Sequence, residues 1–237
     1  MKGTYMKRRY ARLLAKDNVF ARADAIDIEF TYDFDDPRLA ALDAKWGLRE
    51  IAGAEDTQTR ALNLLHWLCA HTRHGNPQSL PENLRMDADA LLGWSFDRPG
   101  NDPNGKHLSV ILSECLLAVG VKAYALWCFP KVFNGQKACV VQAWLPEEGR
   151  WILLDPSFGT YYTDRTGRIL GAREVRERLG SGELRDTSMA RNMYYFNRVR
   201  DMKVGILDAE IEWVFLLPAG YSPAEKGICA TKESFWR

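Results

Sequence analysis

One segment of this sequence is apolar on almost every side of a helix. Five apolar residues recur there at helical spacing, with further apolar residues beside them: Leu108, Ile111, Leu112, Cys115 and Val119. A helix that is apolar all round cannot lie on a protein surface, so we expect it at the centre of a core. Gly120 follows it, in the position that favours a helix-ending glycine. The rest of the chain must therefore fold around a buried helix.

Three segments rich in aromatic and β-branched residues come directly after this helix. They cover residues 121–129, 137–145 and 150–155, and each is bounded by Pro or Gly. Because the loops between them are short, we expect neighbouring strands to pair antiparallel. One buried helix packed on an antiparallel sheet predicts an α+β fold.

The segments before the buried helix have weaker patterns. Residues 17–35 alternate apolar with polar residues and predict an extended entry segment. Pro37 can open a short helix. Asp56 or Thr57 can cap a longer amphipathic helix, and Gly75 is placed to end it.

The remaining elements complete the predicted organisation. We expect a short helical turn near 87–92, a charged surface helix at 171–179 and a further strand at 211–217. Residues 1–55 are interpreted as an N-terminal extension packed on the core. Residues 56–237 are interpreted as one domain, since 237 residues bury one substantial core.

The charge balance predicts no nucleic-acid and no membrane partner. Lys plus Arg total 32 against 31 for Asp plus Glu, so no strong net field draws the chain to an anionic surface. No run approaches the roughly 20 apolar residues of a membrane span. The first 20 residues carry charge throughout, unlike a secretory signal. A cytoplasmic location follows as an expectation, while the oligomeric state stays open.

The cysteine and glycine patterns predict neither a metal nor a cofactor. Five widely spaced cysteines without a CxxC pair favour reduced thiols, and the His and Cys residues lack paired ligand spacing. No phosphate-binding glycine loop is present.

Several sequence words carry a resemblance to a known family. They are "LHWLCAHTRHGN", "HLSVILSECLLAVGVKAYALWCFP", "ACVVQAW" and "RWILLDPSFGTYYTDRTGRIL", with "ARNMYYFNR" and "FLLPAGY" further on. The first four resemble the transglutaminase-like core of bacterial proteins, a papain-related fold, from about Leu64 to about Leu179. The two distal words resemble the C-terminal part of a bacterial branch of this superfamily. The resemblance implies a buried central helix packed on an antiparallel sheet.

That family carries out acyl transfer or amide hydrolysis with Cys, His and Asp. A cysteine at a helix N-terminus has a lowered thiol pKa, a histidine on the next strand exchanges its proton, and an aspartate orients the histidine. Laid on this chain, the cysteine position falls on Gly105, fifteen residues before Gly120, and the histidine position on Cys139. The aspartate is present as Asp155 in "LLDPSFG".

Cys139 and Asp155 can each be interpreted in two ways, as catalytic residues or as structural ones. Cys139 is either a relocated nucleophile beside Asp155 or a packed strand cysteine, and a nearby carboxylate makes a thiol less reactive. Asp155 can equally cap the turn after its strand. A relocated nucleophile needs a base or a cation, and the candidates lining the cleft are His74, Lys106 and His107.

Three functional hypotheses follow from the resemblance. The first is a protein without the ordinary triad that keeps the cleft, with Asn104 and Gly105 at its edge, to bind a peptide or an acylated partner. Backbone N–H groups near Gly105 and Lys106 would hold its carbonyl or carboxylate oxygen. The second is a non-standard acyltransferase or amide hydrolase built from Cys139 and Asp155. The third is a structural subunit of an active relative.

Overall fold

A computed structural model of the chain describes residues 2–16, 32–77, 80–130, 137–193, 195–199 and 213–216. Helices in these parts come in chain order as follows: α1 (Lys2–Lys16), α2 (Pro37–Trp46), α3 (Leu48–Ala52), α4 (Thr57–His71), α5 (Ala88–Asp97), α6 (Gly105–Ala118), α7 (Ala172–Ser181) and α8 (Thr187–Asn192). The predicted extended segment at 17–35 lies mostly outside the described residues.

The strands form a single antiparallel sheet. Its members are β1 (Ala123–Phe129), β2 (Ala138–Leu145), β3 (Arg150–Asp155), β4 (Thr160–Tyr161), β5 (Tyr195–Val199) and β6 (Trp213–Leu216). They lie side by side in the order β4-β3-β2-β1-β5-β6. The two strands that follow α6 in the chain are therefore central in the sheet.

Helix α6 is the buried helix that the sequence predicts. Every residue from 107 to 118 is buried, and the helix packs on β1 and β2 with α2, α4 and α5 around it. Gly120 adopts a left-handed conformation, with φ of 81°. Its N–H donates to the Leu117 carbonyl at 2.9 Å, and the Val121 N–H donates to the Leu116 carbonyl at 2.9 Å. This pair of bonds is the Schellman motif, so the predicted helix-ending role of Gly120 is confirmed.

Helices cover both faces of the sheet. On one face α2 to α5 share a hydrophobic cluster with α6, and on the other α7 and α8 pack against β3 and β1 while α1 packs on α7 and α8. Leu14 of α1 is 1% exposed in this second cluster. Residues before 56 thus contribute core side chains on both faces. The division at residue 55 stays a prediction.

The mixed α+β class is confirmed, and most predicted elements are present within a few residues. Helix α5 is longer than the predicted turn at 87–92. The prediction that Gly75 ends the α4 helix is wrong: α4 stops at His71, and Thr72 is its cap residue. Gly75 serves a different contact, which lies beside the start of α6.

Candidate functional site at the start of helix α6

Residues at the start of α6 are fixed by reciprocal hydrogen bonds. The Asn104 Oδ1 accepts the N–H of Lys106 at 3.0 Å and of His107 at 3.3 Å, while His107 Nδ1 accepts the Asn104 N–H at 3.3 Å. This is a capping box with histidine in the place that glutamate or glutamine usually takes. The Lys106 N–H is engaged in this cap. The binding of a ligand oxygen by backbone N–H groups near Gly105 and Lys106 stays a prediction.

Gly105 is the first residue of α6, and three other parts of the chain meet it. A Cβ atom built on Gly105 would lie 2.9 Å from Ser157 Oγ, 3.6 Å from Cys139 Cβ and 4.0 Å from His74 Nε2. We call the group formed by Gly105, His74, Cys139 and Ser157 the Gly105 site. The side chain of Cys139 and the position of the missing side chain at 105 are direct neighbours.

Cys139 reaches the site because of the strand register. It lies opposite Trp127 in the β1–β2 pair, so the two side chains share the sheet face that carries α6. The Trp127 Nε1 donates to Ser109 Oγ at 3.4 Å, and Ser109 Oγ donates to the Lys106 carbonyl at 2.8 Å. These bonds tie the first turn of α6 to β1.

His74 reaches the site through a close backbone crossing. The neighbouring Gly75 donates its N–H to the Pro103 carbonyl at 3.0 Å. A Cβ atom on Gly75 would lie 2.3 Å from Asp102 Cβ, a distance that no side chain can tolerate. Glycine is therefore required at position 75 for contact between the segment after α4 and the segment before α6.

Ser157 was missed by sequence reasoning. It lies in the turn between β3 and β4, where Asp155 Oδ1 accepts its N–H at 2.9 Å. The Cys69 thiol of α4 donates to the Pro156 carbonyl at 3.4 Å and holds the same turn. The available signal was its position two residues after Asp155, since such Asx turns fix the residue that follows.

The Cys139 thiol is poorly suited to attack a carbonyl. The residue is 5% exposed, and burial raises the pKa of its thiol to about 12. The positive charges of Lys137 and Lys106 lower that pKa in part, and Asp155 raises it. Since the thiolate is the nucleophilic form, almost all of Cys139 is inert near neutral pH.

Asp155 supports a turn at the edge of the site. One further step of the β2–β3 register places it opposite Val140, the residue after Cys139 in the chain. Burial raises the pKa of the Asp155 carboxyl to about 6, although hydrogen bonds from Ser157 and Phe158 stabilise the charged form. The hydrogen bond from the Ser157 N–H therefore supports the interpretation that Asp155 caps the turn.

The two histidine candidates are in different places. His74 is exposed, its ring centre is 5.6 Å from that of Phe158, and partial burial lowers its pKa. His107 is 3% exposed, and burial followed by the charge of Lys106 lowers its pKa to about 4. Because His107 is engaged in the capping box and lies against Trp94, it is not a base for this site. Placing it in the cleft was wrong.

Lys106 points over the sheet beside the site. Its Nζ lies 5.5 Å from the centre of the Trp127 ring, and the Lys137 Nζ lies 5.3 Å from the same ring. The sequence placed Lys106 at the cleft and did not single out Lys137, because only the strand register brings the two together.

Two other kinds of site are absent from the described parts of the chain. Among the described residues, no group of three or more His, Cys, Asp or Glu side chains is placed to hold a metal ion. Within the same parts of the chain, no helix has the length and apolar character needed to cross a bilayer. Comparison of the chain with protein-family models, curated proteins and solved structures finds no match.

Proposed function

We propose that this protein is a transglutaminase-like pseudoenzyme that binds a peptide or an acylated partner at the Gly105 site. The observation that carries the proposal is the 3.6 Å between a Cβ on Gly105 and the Cβ of Cys139. Side chains at these two positions would be in contact, as a nucleophile and its base must be.

The residues now present cannot carry out the chemistry of such a pair. Gly105 has no side chain, and the high pKa of the Cys139 thiol, about 12, leaves it protonated. Asp155 remains at the third position, where it holds the turn that carries Ser157. The geometry of a reacting pair is kept while its reactive groups are gone.

The surroundings of the site suit an amide or acyl group. The Ser157 hydroxyl and the His74 ring border the position of the absent side chain at Gly105, and both groups can hydrogen-bond a carbonyl. Phe158 is 72% exposed on the rim, next to His74. An exposed aromatic ring beside polar groups is a common feature of a ligand-binding edge.

The competing hypothesis is an enzyme that uses Cys139 with Asp155. The observation in its favour is that His74 Nε2 and Cys139 both lie within 4.0 Å of the Cβ position at Gly105. Burial of the thiol and the nearby Asp155 carboxylate act against it, because both raise the pKa of Cys139.

A binding experiment tests the proposal directly. An array of N-acetylated hexapeptides is probed with the unmodified protein and with Gly105→Leu, whose side chain would collide with Ser157 Oγ and disturb the site. We expect a subset of peptides to bind the unmodified protein and to lose at least tenfold in affinity to the variant. Gly93→Leu is the matched control, since Gly93 is a helical glycine with open space around its Cβ position. Equal binding by all three proteins contradicts the proposal.

A second experiment introduces a thiol at position 105 and an imidazole at position 139. The triple variant Gly105→Cys, Cys139→His and Ser157→Ala supplies thiol and imidazole and removes the hydroxyl that would lie 2.9 Å from the new Cβ. We expect hydrolysis of an activated ester such as p-nitrophenyl acetate to appear in the variant and to be absent from the unmodified protein. Thiol-dependent hydrolysis by the unmodified protein, lost in Cys139→Ser, would support the enzyme hypothesis instead.

A further inference from the structure

An open cavity of about 480 Å³ lies between the end of α4 and the end of α5. Residues 70–73 form one wall, and the last turn of α5 with residues 98–102, which lead to α6, forms the other. The volume lies in the range of small-molecule sites. The lining residues differ from those of the Gly105 site, so ligand binding at the two places can be tested separately.

Hydrogen bonds hold both walls of this cavity in place. The Ser95 Oγ donates to the Asn101 carbonyl at 3.1 Å, and the Asn101 Nδ2 donates to the Trp94 carbonyl at 2.6 Å. On the opposite wall, the N–H and the hydroxyl of Thr72 donate to the Leu68 carbonyl at 2.8 and 2.7 Å. A ligand would therefore meet walls that are already formed, which lowers the entropic cost of binding.

Two aromatic side chains line the cavity. Phe96 is 39% exposed, and its ring centre lies 5.3 Å from that of Trp46 and 6.4 Å from that of Trp67, in edge-on contacts that fix the ring. The His71 ring centre lies 6.3 Å from that of Phe96. The His71 Nδ1 is 2.8 Å from the Trp67 carbonyl, which only accepts, so Nδ1 carries a hydrogen and Nε2 is left for a ligand. These groups suit a planar heteroaromatic ring, which can stack on an aromatic side chain.

Two arginines add positive charge to the lining. Arg73 and Arg98 are both exposed, and within the described parts of the chain neither side chain has an ion pair or a hydrogen bond. Each follows the end of a helix, where the helix dipole favours a cation. A guanidinium group binds phosphate through two parallel N–H donors. The two arginines therefore suit an anionic group, and phosphate above all.

One carboxylate on the lining restricts the ligand further. Asp102 also borders the cavity, and its side chain has no ion pair or hydrogen bond to another described residue. A carboxylate repels phosphate, but it accepts hydrogen bonds from the hydroxyl groups of a ribose. A matching ligand must therefore carry hydroxyl groups at a distance from its anionic group.

We propose that this cavity binds a mononucleotide, with its phosphate on Arg73 and Arg98, its ribose hydroxyls on Asp102 and its base on Phe96. The three parts of this ligand match the three kinds of lining group. A phosphate ion would leave Phe96 and Asp102 without a partner, and an uncharged nucleoside would leave the two arginines without one. The guanidinium donors take the place of the backbone N–H groups that a glycine-rich loop supplies elsewhere.

Isothermal titration calorimetry on the unmodified protein tests the proposal. AMP, GMP, CMP and UMP are titrated at about 0.15 M salt, where distant surface charges are screened. We expect at least one of them to bind with a Kd of about 0.1 mM or tighter. The matching nucleoside lacks the phosphate, and ribose 5-phosphate lacks the base, so both should bind at least tenfold more weakly.

Variants assign each part of the ligand to its side chain. Arg73→Gln and Arg98→Gln should each weaken the mononucleotide and ribose 5-phosphate at least fivefold, whereas the control Arg165→Gln, at an exposed arginine outside the cavity, should change neither. Phe96→Leu keeps an apolar side chain and should weaken the mononucleotide alone. The unmodified protein should bind the mononucleotide more tightly than its 2′,3′-dideoxy form, and Asp102→Ala should bind the two alike.

Three outcomes would overturn the proposal. Failure of all four mononucleotides to bind at about 1 mM contradicts it in the unmodified protein, where folding of a variant is not in question. Ribose 5-phosphate that binds as tightly as the mononucleotide would show that the base takes no part. Unchanged binding in both Arg73→Gln and Arg98→Gln would place the nucleotide elsewhere on the protein.

Discussion

At the scale of single residues, the Gly105 site is defined by what its side chains lack. Gly105 has no side chain, Cys139 has a protonated thiol, and Asp155 is engaged by the turn that follows it. Each of these residues would be unremarkable alone. Their significance comes from their proximity, since a ligand in the site would contact all the elements that carry them.

The reactivity of Cys139 gives a prediction at this scale. With iodoacetamide at pH 7 in the native state, we expect Cys139 to react slowly, because burial raises its thiol pKa to about 12. Cys69, which is only half-buried, should react faster than Cys139, Cys115 and Cys128. Mass spectrometry of digested protein measures the order. Preferential labelling of Cys139 would contradict the pseudoenzyme account and favour a relocated nucleophile.

At the scale of elements, α6 is held at its N-terminus by the capping box between Asn104 and His107. The imidazole accepts a hydrogen bond from the Asn104 N–H, which only its neutral form can do. Burial adds to this preference and lowers the pKa of His107 to about 4. The start of α6, and with it Gly105, therefore depends on a histidine that must stay uncharged.

Two substitutions at His107 should distinguish the stability lost with the cap from the stability lost with the buried side chain. His107→Ala removes the acceptor and leaves a cavity, and we expect it to lower the free energy of unfolding by about 1–3 kcal/mol. His107→Gln keeps an acceptor at this position and should cost less, because glutamine is a usual partner in a capping box. Urea unfolding at pH 7 measures both. Equal losses in the two variants would contradict the capping role.

The capping box between Asn104 and His107 predicts that the stability of the protein depends on pH. His107 has a lowered pKa in the folded state, so between about pH 6.5 and 4 the unfolded state binds more protons and stability falls as the pH falls. From pH 7 to pH 5 the unmodified protein should lose about 2 kcal/mol relative to His107→Gln. Asp155 changes the stability in the opposite direction, because its pKa is raised in the folded state. Its contribution is the same in both proteins and cancels in the difference between them. A difference that is constant with pH would contradict a neutral His107.

Glu114 links α6 to α5 and titrates in the opposite direction. Its carboxyl is buried and accepts the Ala88 N–H at 2.6 Å, and burial raises its pKa well above the usual value. Above pH 4.5 the unfolded state releases this proton while the folded state keeps it, so stability falls as the pH rises.

We therefore expect Glu114→Gln, which stays neutral, to gain stability relative to the unmodified protein between pH 5 and pH 8. The gain is limited to about 1.4 kcal/mol per pH unit. Urea unfolding across this range measures it, with Glu147→Gln as the control at a fully exposed carboxylate whose pKa is lowered. A relative stability of Glu114→Gln that does not rise with pH would contradict a protonated Glu114.

At the scale of the whole molecule, the site exists because one sheet and one helix bring distant segments together. The helical pattern before Gly120 and the apolar strands after it were readable in the sequence, because burial of α6 and of the central strands leaves a strong local signal. The relation of Gly105 to Cys139 came from the family resemblance, and the distances fit it.

Several contacts around the site cannot be predicted from the local sequence. Ser157 and Lys137 approach the site only through the register of β1, β2 and β3, which depends on pairing between strands distant in the chain. Gly75 looked like a helix cap, yet it is required by a close crossing with Asp102. His107 looked like a cleft residue, yet a histidine in a capping box is too unusual to expect from its position alone.

The most direct test of the central claim is a disulfide between positions 105 and 139. The separation of 3.6 Å between the two Cβ positions falls within the range of about 3.5–4.5 Å that disulfides require. Gly105→Cys should therefore cross-link to Cys139 under mild oxidation, in a Ser157→Ala background that removes the close hydroxyl. The variant has six cysteines, since the chain has five, and we predict four free thiols after denaturation without reductant. Gly93→Cys should keep six, and six free thiols in a folded, oxidised Gly105→Cys protein would contradict the site.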